Sequence, residues 1–229
     1  SKLAAEVEKL GKDSHVKVIV LRSEGEKAFC AGASVDELIS IKDRDTGLKF
    51  FTGFANVINA MRKAPKFVLA RVQGKAVGGG VGIASAADYA FAVEAASVKL
   101  SELAVGIGPF VVGPAVERKI GPSAFCQLTI NATEWQTAQW ARETGLYAEI
   151  FSTAAEMDQA LEALAKKLDG ETVPPRGARQ SFSLSSLPVT RSLGTTRGGP
   201  ARGSPSTAPS TRAGAPRATT PASPLYTAH

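Results

Sequence analysis

Phe67-Val68-Leu69-Ala70-Arg71-Val72 leads through Gln73–Val77 into Gly78-Gly79-Gly80-Val81-Gly82 and then Ile83-Ala84-Ser85-Ala86-Ala87, and this stretch decides the fold. The first six residues are largely apolar and short, the pattern of a strand covered on both faces. The glycines mark a tight turn, since glycine accepts positive φ and allows close approach to the main chain. The small apolar residues beyond them open a buried helix over 80–87. The first amides of a helix are unpaired donors at the positive end of its dipole, so such an end can hold an anion or an oxyanion that develops in a transition state. A second stretch with the same capacity, Ala28-Phe29-Cys30-Ala31-Gly32-Ala33-Ser34, lies upstream.

Outward from this stretch, helical and extended patterns alternate. Leu3, Val7 and Leu10 share one face of a helix over 3–10, and Val16–Leu21 is a short β-branched strand. Residues 34–42 read as helical. Phe50, Phe51, Phe54, Val57, Ile58 and Met61 give 48–63 an amphipathic helical spacing, which Pro65 ends. Tyr89–Val93 reads as the next strand, with helices over 110–120, 123–131 and 134–144, a strand over 148–151 and a last helix over 154–168. Strand–helix alternation followed by helices predicts an α/β domain with a stacked, partly parallel sheet.

Charge divides the chain. Seven of the 27 basic residues and none of the 21 acidic ones fall within 172–229, so that segment carries +7 and residues 1–171 a net −1. The overall +6 is therefore no nucleic-acid footprint of the folded part. Residues 172–229 also hold nine of the thirteen prolines and little apolar periodicity, which predicts a disordered tail after a core of 1–171. Either a linker-like native tail or a change of reading frame fits that composition. No apolar run approaches the roughly 20 residues that cross a bilayer, and the N-terminal residues lack a signal-peptide core. Cys30 and Cys126 lie in apolar sequence without ligand spacing, so buried free thiols and a cytoplasmic setting are expected.

Three segments in this order, Ser23–Ser34 after the strand Val16–Leu21, Lys66–Gly80 with Ala87-Asp88-Tyr89, and Leu100-Ser101-Glu102-Leu103 leading to Gly106-Ile107-Gly108-Pro109, resemble the crotonase (enoyl-CoA hydratase/isomerase) superfamily over roughly residues 1–168. The resemblance implies the crotonase-like α/β fold, a stacked ββα superhelix. It also implies an acyl-CoA thioester as substrate, with coenzyme A as part of that substrate and no metal or other cofactor, and a homo-oligomer, trimer or hexamer. It implies an oxyanion hole made by the amides of Ala33 and Gly79, with Ala31, Gly32, Gly78, Gly80 and Gly82 completing the substrate-binding main chain. Small residues suit that role because a thioester carbonyl must come close and gains charge as an enolate forms.

Hydratases of this superfamily place two glutamates around the substrate; the matching positions here are Gly82 and Glu102. One retained carboxylate fits removal of a proton from one carbon and its return to another, so isomerisation is slightly favoured over hydration. The alternative is a non-catalytic scaffold or an inactive, truncated homologue, because the chain starts past the superfamily's opening hairpin and its closing helices are replaced by the tail. No nucleic-acid or membrane partner is expected. Asp88 is expected to serve structure, His15 to lie at the surface and Trp135 and Trp140 to pack on a helix, and the Gly106–Gly113 loop resembles the superfamily's glycine-rich loop after the catalytic glutamate but lacks its Gly-Gly-Thr pattern.

Overall fold

The computed structural model describes residues 2–170; the expected tail, and with it the boundary at 171/172, lies outside the described residues. The elements are α1 (Lys2–Lys12), β1 (Val18–Leu21), β2 (Ala28–Cys30), α2 (Val35–Ile39), α3 (Arg44–Lys63), β3 (Phe67–Val72), β4 (Lys75–Val77), α4 (Gly79–Ala86), β5 (Tyr89–Val93), β6 (Ser97–Lys99), a 3₁₀ turn (Glu102–Val105), α5 (Gly113–Ile130), β7 (Gln136–Thr137), α6 (Ala138–Glu143), β8 (Glu149–Phe151) and α7 (Ala154–Asp169).

The strands form two sheets. β1-β3-β5-β8 is parallel throughout, and β2-β4-β6-β7 is parallel except for its last, antiparallel pair. Consecutive strands β1/β2, β3/β4 and β5/β6 each place one member in either sheet before a helical segment follows. Repetition of that step stacks ββα units into the expected crotonase-like superhelix. The first sheet is the more buried: Val68, Leu69, Ala70 and Val72 of β3 and Ala90, Phe91 and Ala92 of β5 are inaccessible or nearly so. Apolar β-branched and small residues are what a strand covered on both faces requires.

Local chemistry sets the helix ends. α3 starts at Arg44 rather than 48 because Asp43 and Thr46 form a reciprocal capping box, with Thr46 N–H donating to Asp43 Oδ1 at 2.8 Å. α7 starts behind a second box, Thr153 with Glu156. α5 runs through both helices expected between 110 and 131, but Gly121 (φ 78°, ψ 163°) breaks it just before Pro122. The helix expected over 34–42 is only Val35–Ile39, capped by Ser34. The helix expected over 134–144 begins as strand β7 and turns helical only after Thr137, whose hydroxyl caps α6 by accepting from Trp140 N–H at 3.1 Å.

Long-range bonds tie these parts together. Asp88 accepts from Val68 N–H at 2.8 Å and donates its own N–H to Val68 O at 2.8 Å, so it closes the α4–β5 turn onto β3, the structural role expected of it. Lys119 of α5 donates to the carbonyls of Ala87 and Asp88, both at 3.1 Å. Arg71 of β3 and Asp158 of α7 form a bidentate pair. The cysteines are free, but Cys126 is exposed on the outer side of the broken α5 and Cys30 only half-buried, against the expectation of two buried thiols. His15 is exposed beside Asp13. Among the described residues no helix is long and apolar enough to cross a membrane.

Candidate active site

Three parallel strands of the second sheet deliver the three sequence segments to one edge. Cys30 of β2 is in register with Ala76 of β4, and Val77 of β4 with Lys99 of β6. The residues just past each strand, Ala31–Ser34, Gly78–Gly80 and Ser101–Glu102, therefore emerge side by side. The carboxyl ends of parallel strands are where open α/β folds place ligands. The loop ahead of β2 is pinned to β4's approach: Gln73 Nε2 lies 2.7 Å from Ser23 Oγ and 3.0 Å from Ala28 O, and Lys75 N–H donates to Lys27 O at 3.2 Å.

These turns enclose a cavity of about 470 Å³, lined mainly by apolar groups from Val35, Leu38, Phe50, Phe51, Phe54, Val111 and Val112, together with Ala31, Gly32, Ala33, Gly78, Gly79 and Glu102. Gly32 adopts φ +87°, and a side chain there would meet Val77 O at 3.0 Å and the amide nitrogen of Gly79 at 3.8 Å. The first glycine-bearing turn thus rests directly against the second. Gly78 adopts φ +49° and gives its N–H to Lys99 O at 2.9 Å. Gly79, first residue of α4, has no acceptor within the helix for its amide. Among the described residues no backbone bond engages the Ala33 or the Gly79 amide.

Glu102 opens the 3₁₀ turn that Gly106 closes in the left-handed conformation. A side chain at Gly78 would lie 3.1 Å from Glu102 Oε1 and 3.6 Å from Oε2, so the carboxyl group packs on the bare Cα of Gly78, one residue from the Gly79 amide. Oε2 is buried with no hydrogen-bond partner among the described residues. Burial pushes the Glu102 carboxyl above the ordinary glutamate range, opposed more weakly by a hydrogen bond from its own backbone. A carboxyl in a dry pocket with an idle oxygen is suited to proton transfer.

The expected substrate-binding residues divide. Ala31, Gly32, Ala33, Gly78 and Gly79 line the cavity, whereas Gly80 and Gly82 do not. Gly80 faces Cys30, whose carbonyl oxygen would stand 2.4 Å from an added side-chain carbon; this glycine permits β2 and α4 to touch. Gly82 is backed by Val112, with Cγ1 2.6 Å and Cβ 2.7 Å from the position a side chain would take, and by Ile58 Cδ1 at 3.1 Å. The Val112 side chain thus occupies the room that a side chain at 82 would need. Glu102 and Lys99 are the ionisable residues among those lining the cavity.

Trp135 corrects its reading as a helix-packing residue. It precedes β7, is 40% exposed and lines the cavity, because the helix begins only at Ala138, after the strand Gln136–Thr137. Trp140 does pack against the core. Lys99, which the sequence did not single out, was recognisable only through its pairing with Val77. Among the described residues no three His, Cys, Asp or Glu side chains converge as a metal site.

The sequence matches the family described as enoyl-CoA hydratase/isomerase over residues 1–182. The chain belongs to that family. Among relatives of this enoyl-CoA hydratase/isomerase family member, the mitochondrial methylglutaconyl-CoA hydratase of Mus musculus is 31% identical over 159 residues, 69% of this chain and 50% of the mouse protein. Carnitinyl-CoA dehydratase of Escherichia coli O157:H7 is 28% identical over 190 residues, 82% of this chain and 71% of that protein. Among solved structures, an enoyl-CoA hydratase of Mycobacterium smegmatis superposes with a TM-score of 0.69 at 28% identity, covering 73% of this chain and 64% of that one. The chain thus spans half the length of the mouse relative and under two thirds of this solved structure.

Proposed function

We propose that this protein acts on an acyl-CoA thioester by stabilising its enolate, with the amides of Ala33 and Gly79 holding the carbonyl oxygen and Glu102 moving the proton. The observation that carries the reading is the Glu102 carboxyl packed on Gly78, beside the uncommitted Gly79 amide, within an apolar cavity. In this reaction Glu102 takes a proton from the carbon next to the thioester carbonyl of a 3-enoyl-CoA, and the electron pair moves onto the carbonyl oxygen between the two amides. The same carboxyl returns the proton two carbons along, leaving the conjugated 2-enoyl-CoA. Each backbone donor aimed at the developing charge is worth about 3–4 kcal/mol of transition-state stabilisation.

Isomerisation is favoured over hydration because water addition is served by a second group that positions the water, and Val112 fills the space beside Gly82 where a second carboxylate would stand. Coenzyme A enters as part of the substrate; the donors and base invoked are all the chain's own. Exposed Leu103, Val105, Phe110 and Ile130 support self-association into a trimer or hexamer, and the free thiols fit a cytoplasmic setting. The test is conversion of 3-enoyl-CoA thioesters, followed by the absorbance of the conjugated product and by mass. Formation of a 2-enoyl thioester that Glu102→Gln abolishes supports the reading. Mass gain by water points to hydration, and turnover unaffected by Glu102→Gln, or none at all, leaves the scaffold reading.

A further inference from the structure

The rim of the cavity carries a charge cluster that the reaction above does not use. Nζ of Lys75 and Nζ of Lys99 lie 4.9 and 4.5 Å from the centroid of one indole ring, that of Trp135. The second sheet brings them together: Lys75 and Val77 share a face of β4, Val77 pairs with Lys99 of β6, and Val98 pairs with Gln136 of β7, which carries Trp135 alongside Lys99. Lys99 and Trp135 both line the cavity, and the strand holding Lys99 runs on to Glu102 three residues later. Among the described residues neither ammonium pairs with a carboxylate. The indole face attracts each cation, but two like charges drawn to one ring repel each other. An anion seated between them relieves that repulsion, and the apolar wall on the cavity side weakens the screening by water.

We propose that Lys99 and Lys75, gathered by Trp135, receive a carboxylate at the far end of the acyl chain, so that the preferred substrate is a dicarboxylic acyl-CoA. This rests on the acyl-CoA reading of the cavity and adds the substrate class. The other anions of such a ligand, the phosphates of coenzyme A, sit at the end of the long pantetheine arm. Lys99 lies instead on the strand that leads to Glu102 and lines the same cavity. Between the two ends, Val111 and Ala132 offer an apolar wall to the intervening methylenes.

Binding of two saturated, unreactive thioesters of equal chain length tests this without turnover: pentanoyl-CoA and glutaryl-CoA, titrated calorimetrically into the full chain. Glutaryl-CoA should bind at least tenfold more tightly. The Lys75→Met/Lys99→Met variant should lose that preference, and Lys99→Arg should keep part of it. Equal affinities for the two thioesters overturn the proposal and leave the acyl-CoA site standing, whereas failure of both to bind removes the site itself. If the double variant weakens both thioesters alike and the loss vanishes with 3′-dephospho-CoA thioesters, the lysines hold a nucleotide phosphate and the carboxylate assignment is wrong. Circular dichroism and thermal unfolding of the variants report whether the fold survives; preference for glutaryl-CoA retained in a folded double variant also refutes it.

Discussion

The reciprocity between Gly82 and Val112 can be measured. Adding a methyl group at 82 places a carbon 2.6 Å from Val112 Cγ1 and 2.7 Å from Val112 Cβ, distances that packed carbons do not tolerate. Val112 is almost fully buried and caps α5, so neither backbone nor side chain can retreat freely. Overpacking of this kind costs about 1–3 kcal/mol. Because Cβ itself is in the way, Val112→Ala does not clear the space, whereas Val112→Gly does. Val112→Gly alone removes three buried carbons and should cost about 2–3 kcal/mol. In that background the one of the three nearest atoms that remains is the side-chain end of Ile58, at 3.1 Å. The helical preference of alanine over glycine, about 1 kcal/mol, enters both backgrounds and cancels in a double-mutant cycle. The coupling energy should therefore equal the clash, about 1–3 kcal/mol, read from urea unfolding of the four proteins. Additivity within about 0.5 kcal/mol would mean that Val112 does not hold the place of a side chain at 82, and the packing account of the missing carboxylate would fail.

In the Val112→Gly background, Gly82→Glu should introduce a second carboxylate into the cavity and raise hydration of a 2-enoyl-CoA by about 10²-fold; an unchanged rate in a folded variant refutes the two-carboxylate logic. Glu102→Gln should lower proton transfer by about 10²–10⁴-fold while leaving thioester affinity within a few-fold, measured by kinetics and calorimetry. The raised Glu102 pKa has a stability sign: the folded state holds that proton more firmly than the unfolded chain, so stability falls as pH climbs from the ordinary glutamate range to the raised value. Glu102→Gln should therefore gain stability relative to the parent at neutral pH, a gain that disappears below the ordinary glutamate range; a pH-independent difference contradicts this. Asp158 behaves oppositely, since the hydrogen bonds from Arg71 hold its carboxyl below the usual range. Its contribution is present above the ordinary aspartate range and lost as pH falls through the lowered value. With Asp158 half exposed, Asp158→Asn should cost only about 1 kcal/mol near neutrality, by the same unfolding assay.

The long buried strands were legible residue by residue. Phe67–Val72 and Tyr89–Val93 coincide with their sequence assignments because full burial demands uninterrupted apolar runs. The second sheet was not legible as strands: Ala28–Cys30, Lys75–Val77, Ser97–Lys99 and Gln136–Thr137 are two or three residues each, too short to display any period. That sheet is nevertheless the one that delivers the candidate site, so the motifs could be recognised but the edge assembling them could not. Glu102, Ala33 and Gly79 were found by resemblance to family motifs, and the cavity brings the three together. Gly80 and Gly82 were grouped with them by proximity in sequence, yet α4 turns Gly80 toward Cys30, and Val112, itself part of the cavity wall, stands against Gly82. Lys99 and Trp135 belong to different segments and meet through an antiparallel pairing that no local pattern announces.

The candidate oxygen-gripping groups belong to the peptide chain, whereas the candidate proton carrier and the cations near it are interchangeable side chains. No substitution short of proline deletes a peptide N–H, so descent with modification can scarcely erase the electrophilic activation while the turns persist. What it can alter, one codon at a time, is which carbon receives a hydrogen and which acyl tail is welcomed. A lineage built this way can diversify its products on a fixed means of activation.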